Sequence, residues 1–315
     1  MQAISCLTFV GGFVDGAGYD LLYSIFTTAI TGNIIAAASD VYVEAKGVLP
    51  RLLVCIFIGF GALTATIISM KLRFATTLNK WEVGMTLFAV EALAIFLAMI
   101  VGQHLDYPDI DSWQITVTAI MTAFAMGLQN GAALVMIPNC PVTTAMTGNL
   151  IRFFIYGAEA FTFTAASLGL INLYPTATGK PEGYSETMKV YAHELSLKFH
   201  LFFSALIPFI IGALTGVPAA EHLGFWCFFV PIVVVLFVVW TLYMGNREAQ
   251  LFKVNQQLQE ENGGVVMSSL QARSTTEQKG VDKFRDLDDT DVHGDVDAIV
   301  TAEQWRVSIQ QKEAK

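Results

Sequence analysis

The chain alternates between long apolar runs and short polar breaks. Runs at 52–70, 85–101, 115–137, 199–217 and 225–244 approach or reach the roughly 20 residues that carry a helix across a bilayer. Residues 3–25 form a further apolar run. That run has no basic leading segment and no Ala-x-Ala cleavage site, so the pattern predicts a retained first helix and not a signal peptide. From about Gly245 onward the chain turns charged and polar. There Leu251, Val254 and Leu258 recur at spacings of three and four, which fits a short juxtamembrane helix or a coiled-coil seam. Beyond it, Gly, Ser, Thr and acidic residues predict disorder.

Two octets interrupt the apolar pattern in the same way. TTAITGNI at 27–34 and TTAMTGNL at 143–150 agree at six of eight positions. GFVDGA at 12–17 is matched by GLQNGA at 127–132, and GALT occurs at 61–64 and again at 212–215. The order is the same each time: a GxxxG helix, a TGN segment, a GALT helix and one more helix. The expectation is an internal duplication, with membrane repeat A over 1–110, membrane repeat B over 111–245 and a polar, acidic tail over 246–315. Gly12, Gly16, Gly32, Gly61, Gly127, Gly131, Gly148 and Gly212 are the expected points of close helix packing.

Each TTxxTGN block is expected to begin a helix, its threonines capping free amide groups. The first TGN helix, ending near Val43, is short for a 30 Å crossing and suits a half-helix or re-entrant segment. The second is long enough to span. The fold expected is therefore an all-α integral membrane helical bundle. It has six full spans plus two TGN-containing half or re-entrant helices, six to eight membrane helices in all. With both TGN segments re-entrant, each repeat has three spans and the second half is inverted, a known transporter design. With both spanning, the halves run parallel.

Composition strengthens the membrane reading. Only 14% of residues are charged, against about 25% in soluble chains. Lys71, Arg73 and Lys80 surround the 72–81 connector, whereas Asp106, Asp109 and Asp111 crowd the 103–112 connector. Basic short loops stay cytoplasmic, which puts the first inside and the second outside. The re-entrant arrangement then leaves the tail cytoplasmic, with the cell membrane the expected location. The net charge of −9 says little about partners. Cys6, Cys55, Cys140 and Cys227 form no C-x-x-C pair, so neither a disulfide framework nor a zinc site is expected.

GFVDGAGY at 12–19, the TTAITGN block, and GLQNGA with VTTAMTGN at 142–149 resemble the YoaK-like family, a domain of unknown function found in multi-pass membrane proteins. The resemblance covers about residues 3–244. It implies an integral membrane protein of six to eight helices and implies no substrate or reaction.

Several polar residues stand out against this background. Asp15 lies between Gly12 and Gly16 in an apolar helix, and its repeat partner is the neutral isostere Asn130. A charge at bilayer depth costs several kcal/mol and is kept for pairing, cation binding or proton uptake. Glu91 sits near the middle of its helix, and the last helix has no acid at a comparable place. Two intramembrane acids fit proton coupling and fit a structural network equally. Thr31, Asn33, Thr147 and Asn149 are candidates for a polar lining, on the expectation that the two TGN helix starts face each other near the midplane. Gln129 and Asn130 add amides to that set. Arg152, seven residues before Glu159 on one helix face, reads either as an anion-binding group or as an arginine snorkelling from a helix end.

Soluble-type catalytic signatures are absent: no HExxH, GxSxG, P-loop or GxGxxG occurs. DTDVHGDVDAIV at 289–300 resembles an EF-hand loop but has Val300 where the bidentate Glu belongs. No enzyme, cofactor or metal is expected. The leading function is a small-solute transporter or facilitator, proton-coupled in one version; the alternative is a membrane scaffold, sensor or assembly factor. The partners expected are the lipid bilayer, a small solute the sequence does not name, and, where it oligomerises, further copies of the chain. Nothing points to nucleic acid.

Overall fold

The computed structural model describes residues 2–43, 46–75, 79–104, 109–136, 140–144, 146–171, 184–248 and 250–251. The tail beyond 251, with its juxtamembrane seam and EF-hand-like stretch, lies outside the described residues. The helices are α1 (Gln2–Leu21), α2 (Ile30–Tyr42), α3 (Val48–Ala75), α4 (Lys80–His104), α5 (Trp113–Met136), α6 (Met146–Ser167) and α7 (Tyr184–Leu223). A 3-10 turn, η1 (Gly224–Phe228), leads into a last helix over 229–248, α8. No strand occurs among the described residues, and all of them fall within one compact unit, Met1–Leu251.

Among the described residues four helical runs are long and apolar enough to cross a membrane: Val48–Leu72, Trp81–His104, Trp113–Met136 and Glu186–Glu248. The chain is a helical membrane bundle. Its outer faces carry exposed Leu52, Ile56, Phe60, Leu63 and Ile67 on α3, Leu93, Phe96 and Leu97 on α4, and Leu236, Phe237 and Trp240 on α8. Helices apolar all round belong in lipid, because water would have to solvate these faces. The last run, at 63 residues, would be about 95 Å long if straight, some three bilayer cores. It is broken at Gly224, whose φ of +57° is a left-handed conformation that glycine tolerates. α7 also starts earlier than the apolar pattern predicts. Its polar first turns are supported by the ion pairs Glu186–Lys189 and Glu194–Lys198 and by packing on α6.

Glycine seams fix the helix pairs. α1 lies parallel to α7: Ser5 donates to the Ser204 carbonyl at 2.9 Å, Gly12 faces Phe209 and Gly16 faces Ala213. α5 lies parallel to α3 by the same device, with Gly127 against Ile58 and Gly131 against Ala62 and Ala65. A Cβ at Gly12 or at Gly127 would sit 2.0 Å from a facing carbonyl oxygen, and one at Gly212 or at Gly61 would sit 2.2 Å from one. None of the four has room for a methyl group. Gly32 is looser, meeting only the Phe26 ring, and Gly148 meets nothing within 4 Å. The expectation that Gly148 is a packing glycine is therefore corrected: it lies on an exposed face of α6.

The directions of the helices follow from their contacts. α4 and α5 are antiparallel, with Gly84 against Met136 and Ala94 and Leu97 beside Met121 and Phe124. α8 runs back along α4, from Phe225 against Gly102 to Asn246, which accepts from the Asn79 amide at 2.9 Å. η1 touches α1, α4 and α7 together. These three helices end at one face of the bundle, here called the upper face.

Candidate functional site

After α1 the chain turns through Leu22–Ile25 and doubles back inside the bundle. Tyr23 and Ser24 adopt φ of 54° and 62°, a left-handed conformation that costs about 1 kcal/mol for each non-glycine residue. Arg51, buried at the start of α3, holds this turn. Its guanidinium donates to the carbonyls of Ser24 at 2.6 Å and Tyr23 at 3.5 Å, and to Asp40 Oδ2 at 3.0 Å. The end of α1, the end of α2 and the start of α3 are thus pinned together at the upper face. Above them Lys46 pairs with Asp109, and the Gly47 amide donates to Asp111 Oδ1 at 2.9 Å. The Lys46 hydrogen bond pulls the Asp109 carboxyl below its usual range, and the same bond pushes the Lys46 ammonium up.

Between that turn and α2, residues 26–29 are clamped to the middle of α1. Asp15 Oδ1 accepts from the amides of Thr27 and Thr28, each at 3.0 Å, and from the Thr27 hydroxyl at 3.4 Å. Asn33, fully buried, closes the loop from the other side. Its Oδ1 accepts from the Phe26 amide at 3.0 Å and its Nδ2 donates to the Phe26 carbonyl at 2.5 Å. α2 then runs back to the upper face. Its N-cap is Ala29, with no side-chain cap, so the expected threonine cap is corrected. The threonines offer their amides to Asp15 instead.

The second octet is held by equivalent contacts at the lower face. Asn130 Oδ1 accepts from the Thr143 amide at 3.0 Å and the Thr143 hydroxyl at 2.7 Å, and its Nδ2 donates to the Thr144 hydroxyl. Asn149, buried, donates to the Val142 carbonyl at 2.6 Å. An aspartate and an asparagine do the same work because both present an acceptor oxygen to a backbone amide. Gln129, fully buried, ties this turn to α1 by donating to the Leu7 carbonyl at 3.0 Å and the Thr143 hydroxyl at 2.7 Å. α6 leaves toward the lower face, stacking Phe153 on Phe199 and packing Phe163 at a tilt against Tyr191 of antiparallel α7.

The polar residues predicted from sequence fall into three groups. Asp15, Asn33, Gln129, Asn130 and Asn149 form the two clamps. Thr31 and Thr147 are exposed on outer turns of α2 and α6. Arg152 is exposed as well, lying over the Phe202 ring at 5.9 Å. Helix α2 packs on α3 and α6 packs on α7, without contact between α2 and α6, while the turns that lead into them meet one face of α1, Thr27 against Gly18 and Thr143 with Thr144 against Gly11, seven residues away. Glu91 stands apart in the middle of α4, fully buried, with neither carboxyl oxygen hydrogen-bonded. Arg51 was not among the residues singled out by sequence. The only signal was a basic residue opening an apolar run, eleven residues after Asp40. Among the described residues no group of His, Cys, Asp or Glu is placed to hold a metal. A cavity of about 340 Å³ lies between α3, α4 and α5 and is lined by apolar residues, Phe57, Leu93 and Phe124 among them.

No curated protein and no solved structure matches the chain. The family described as "Protein of unknown function (DUF1275)" matches residues 3–241, the stretch that holds both octets, both glycine seams and both clamps, and the chain belongs to that family.

Proposed function

We propose that the chain is a multi-pass transporter or facilitator of a small solute, built by internal duplication from two inverted repeats. On this reading α1, α3, α4, α5, α7 and α8 span, and α2 and α6 are re-entrant, entering from opposite faces. The observation that carries the reading is the pair of clamped hairpins. Two interrupted helices, held at matching depth by Asp15 and Asn130, reach into the bundle from opposite ends. Broken helices in paired repeats are how transporters place unwound backbone beside a solute path, and such backbone is tolerated at depth only where protein or water covers it. The apolar outer surface supports a bilayer location; the cell membrane is the expected one, and the basic residues around the 72–81 connector favour a cytoplasmic side for that connector and the tail.

The scaffold reading has its own support, since Asn33 and Asn149 are engaged within the chain rather than turned to a path. Uptake into sealed proteoliposomes separates the two. A panel of small neutral, anionic and amino-acid solutes is offered with and without a pH gradient. Transport predicts uptake of at least one class above empty liposomes, reduced when a glycine seam is blocked. Uptake equal to empty liposomes across the panel would favour the scaffold.

A further inference from the structure

Two buried side chains near the middle of the bundle have oxygen atoms without partners. Glu91 is 0% exposed, and neither Oε1 nor Oε2 has a hydrogen-bond partner. Gln129 is also 0% exposed; its Nε2 makes two bonds, but its Oε1 has no partner. Either alone would be an unexplained cost, because a buried polar atom left unpaired loses its water and gains nothing.

The register of α4 against α5 brings the two together. Gly84 of α4 abuts Met136 of α5, and the helices are antiparallel. Seven residues on from Gly84 is Glu91; seven residues back from Met136 is Gln129. Seven residues is close to two full turns, so each lies on the same face as its reference residue and at the same height as the other. The residues flanking them on those faces are buried too: Phe88 and Ile95 on α4, Thr122, Met126 and Ala133 on α5.

Two acceptor oxygens set by the register at one height on packed helices cannot hydrogen-bond to each other without a proton between them. No cation supplies one. α5 carries no charged residue, α8 carries none before Arg247, and those of α3 lie at its ends, at Arg51, Lys71 and Arg73. On α1 the charged groups are acidic, Asp15 and Asp20, and η1 has none. On α4 itself Lys80 and His104 stand at the two ends, eleven and thirteen residues from Glu91 and so about three turns or more away along the helix, and Glu82 is occupied at the helix start by the Asn79 amide. A carboxylate buried there would be an uncompensated charge.

We propose that Glu91 is a proton-binding site: its carboxyl holds a proton and donates it in a hydrogen bond to Gln129 Oε1. That bond satisfies both residues. It also extends the second clamp into one buried chain, from Glu91 through Gln129 and the Thr143 hydroxyl to Asn130. The ligand of the site is a proton, and the proposal holds whether or not the chain moves a solute.

Infrared spectroscopy of the whole purified protein in lipid tests this. A protonated carboxyl has a carbonyl stretch that shifts in D2O and is separate from carboxylate bands. The account expects one such band to vanish in Glu91→Gln and to persist in Asp15→Asn. In Gln129→Leu it should move to higher frequency, because the carboxyl has lost its acceptor. No band lost in Glu91→Gln, or a Glu91 band indifferent to Gln129→Leu, would overturn the proposal. If Gln129→Leu does not fold, the register is tested directly in a background with the native cysteines replaced. Glu91→Cys with Gln129→Cys should cross-link under a membrane-permeant oxidant as readily as Gly84→Cys with Met136→Cys. Cross-linking of the control pair alone would overturn it.

Discussion

At the scale of the residue, the clamps give the sharpest expectations. Asp15 Oδ1 satisfies two backbone amides in a water-poor setting. Asp15→Asn offers an oxygen to the same amides, as Asn130 does in the other hairpin, so thermal unfolding in detergent should stay close to wild type. Asp15→Ala leaves both amides without an acceptor and should cost about 1–3 kcal/mol for each. Equal loss in both variants would mean the charge and not the acceptor matters. Asn33→Leu and Asn149→Leu should each lose about 1–3 kcal/mol by stranding the Phe26 and Val142 groups. This is a stability effect, read by unfolding. The pairing of Asp15 with Asn130 was legible in sequence, because isosteres occupied one place in a doubled motif. Their role was not, because it depends on amides twelve to thirteen residues away whose path needed the turn at Tyr23 and Ser24.

At the scale of the element, the seams and the latch carry the argument. Gly127→Ala pushes a methyl group onto the Ile58 carbonyl, and overpacking of this kind costs about 1–3 kcal/mol. Gly148→Ala meets open space on a helix, and should be neutral or stabilising by up to about 1 kcal/mol. Unfolding curves for the two variants should therefore move in different directions or by clearly different amounts. The glycine spacing was visible in sequence, but a glycine facing a helix and one facing lipid look alike there. Arg51→Ala removes the donor to two strained carbonyls and the partner of Asp40. The 22–29 loop should then become susceptible to protease or hydrogen exchange; unchanged protection would remove Arg51 as a latch. The Lys46–Asp109 pair adds a pH dependence of known sign. Asp109 is held below its unfolded pKa, so its contribution is present above that value and is lost as acid takes the pH down through the folded one. Lys46 is held above its own, so its share is present at neutral pH and lost as base takes the pH up through the folded value. Both groups are exposed, so the effect should be small and abolished in Asp109→Asn.

At the scale of the whole molecule, the bundle exchanges helices between its halves. α1 packs on α7 and α5 on α3, which puts the α1–α5 contact at the centre and leaves α2 and α6 on separate flanks. The two TGN helices therefore pack on different neighbours, α2 on α3 and α6 on α7. Sequence repeats reveal that two segments are alike, but the choice between packing within a half and packing across halves is made by long-range seams. The orientation of the second hairpin decides the account. In a background with the native cysteines replaced, single cysteines are placed at Tyr42, 89% exposed at the end of α2, and at Leu170, 75% exposed just past α6. Each is challenged in sealed vesicles with a membrane-impermeant maleimide. Inverted hairpins predict that the two positions label from opposite sides of the membrane; labelling of both from the same side would mean parallel halves and would contradict the account.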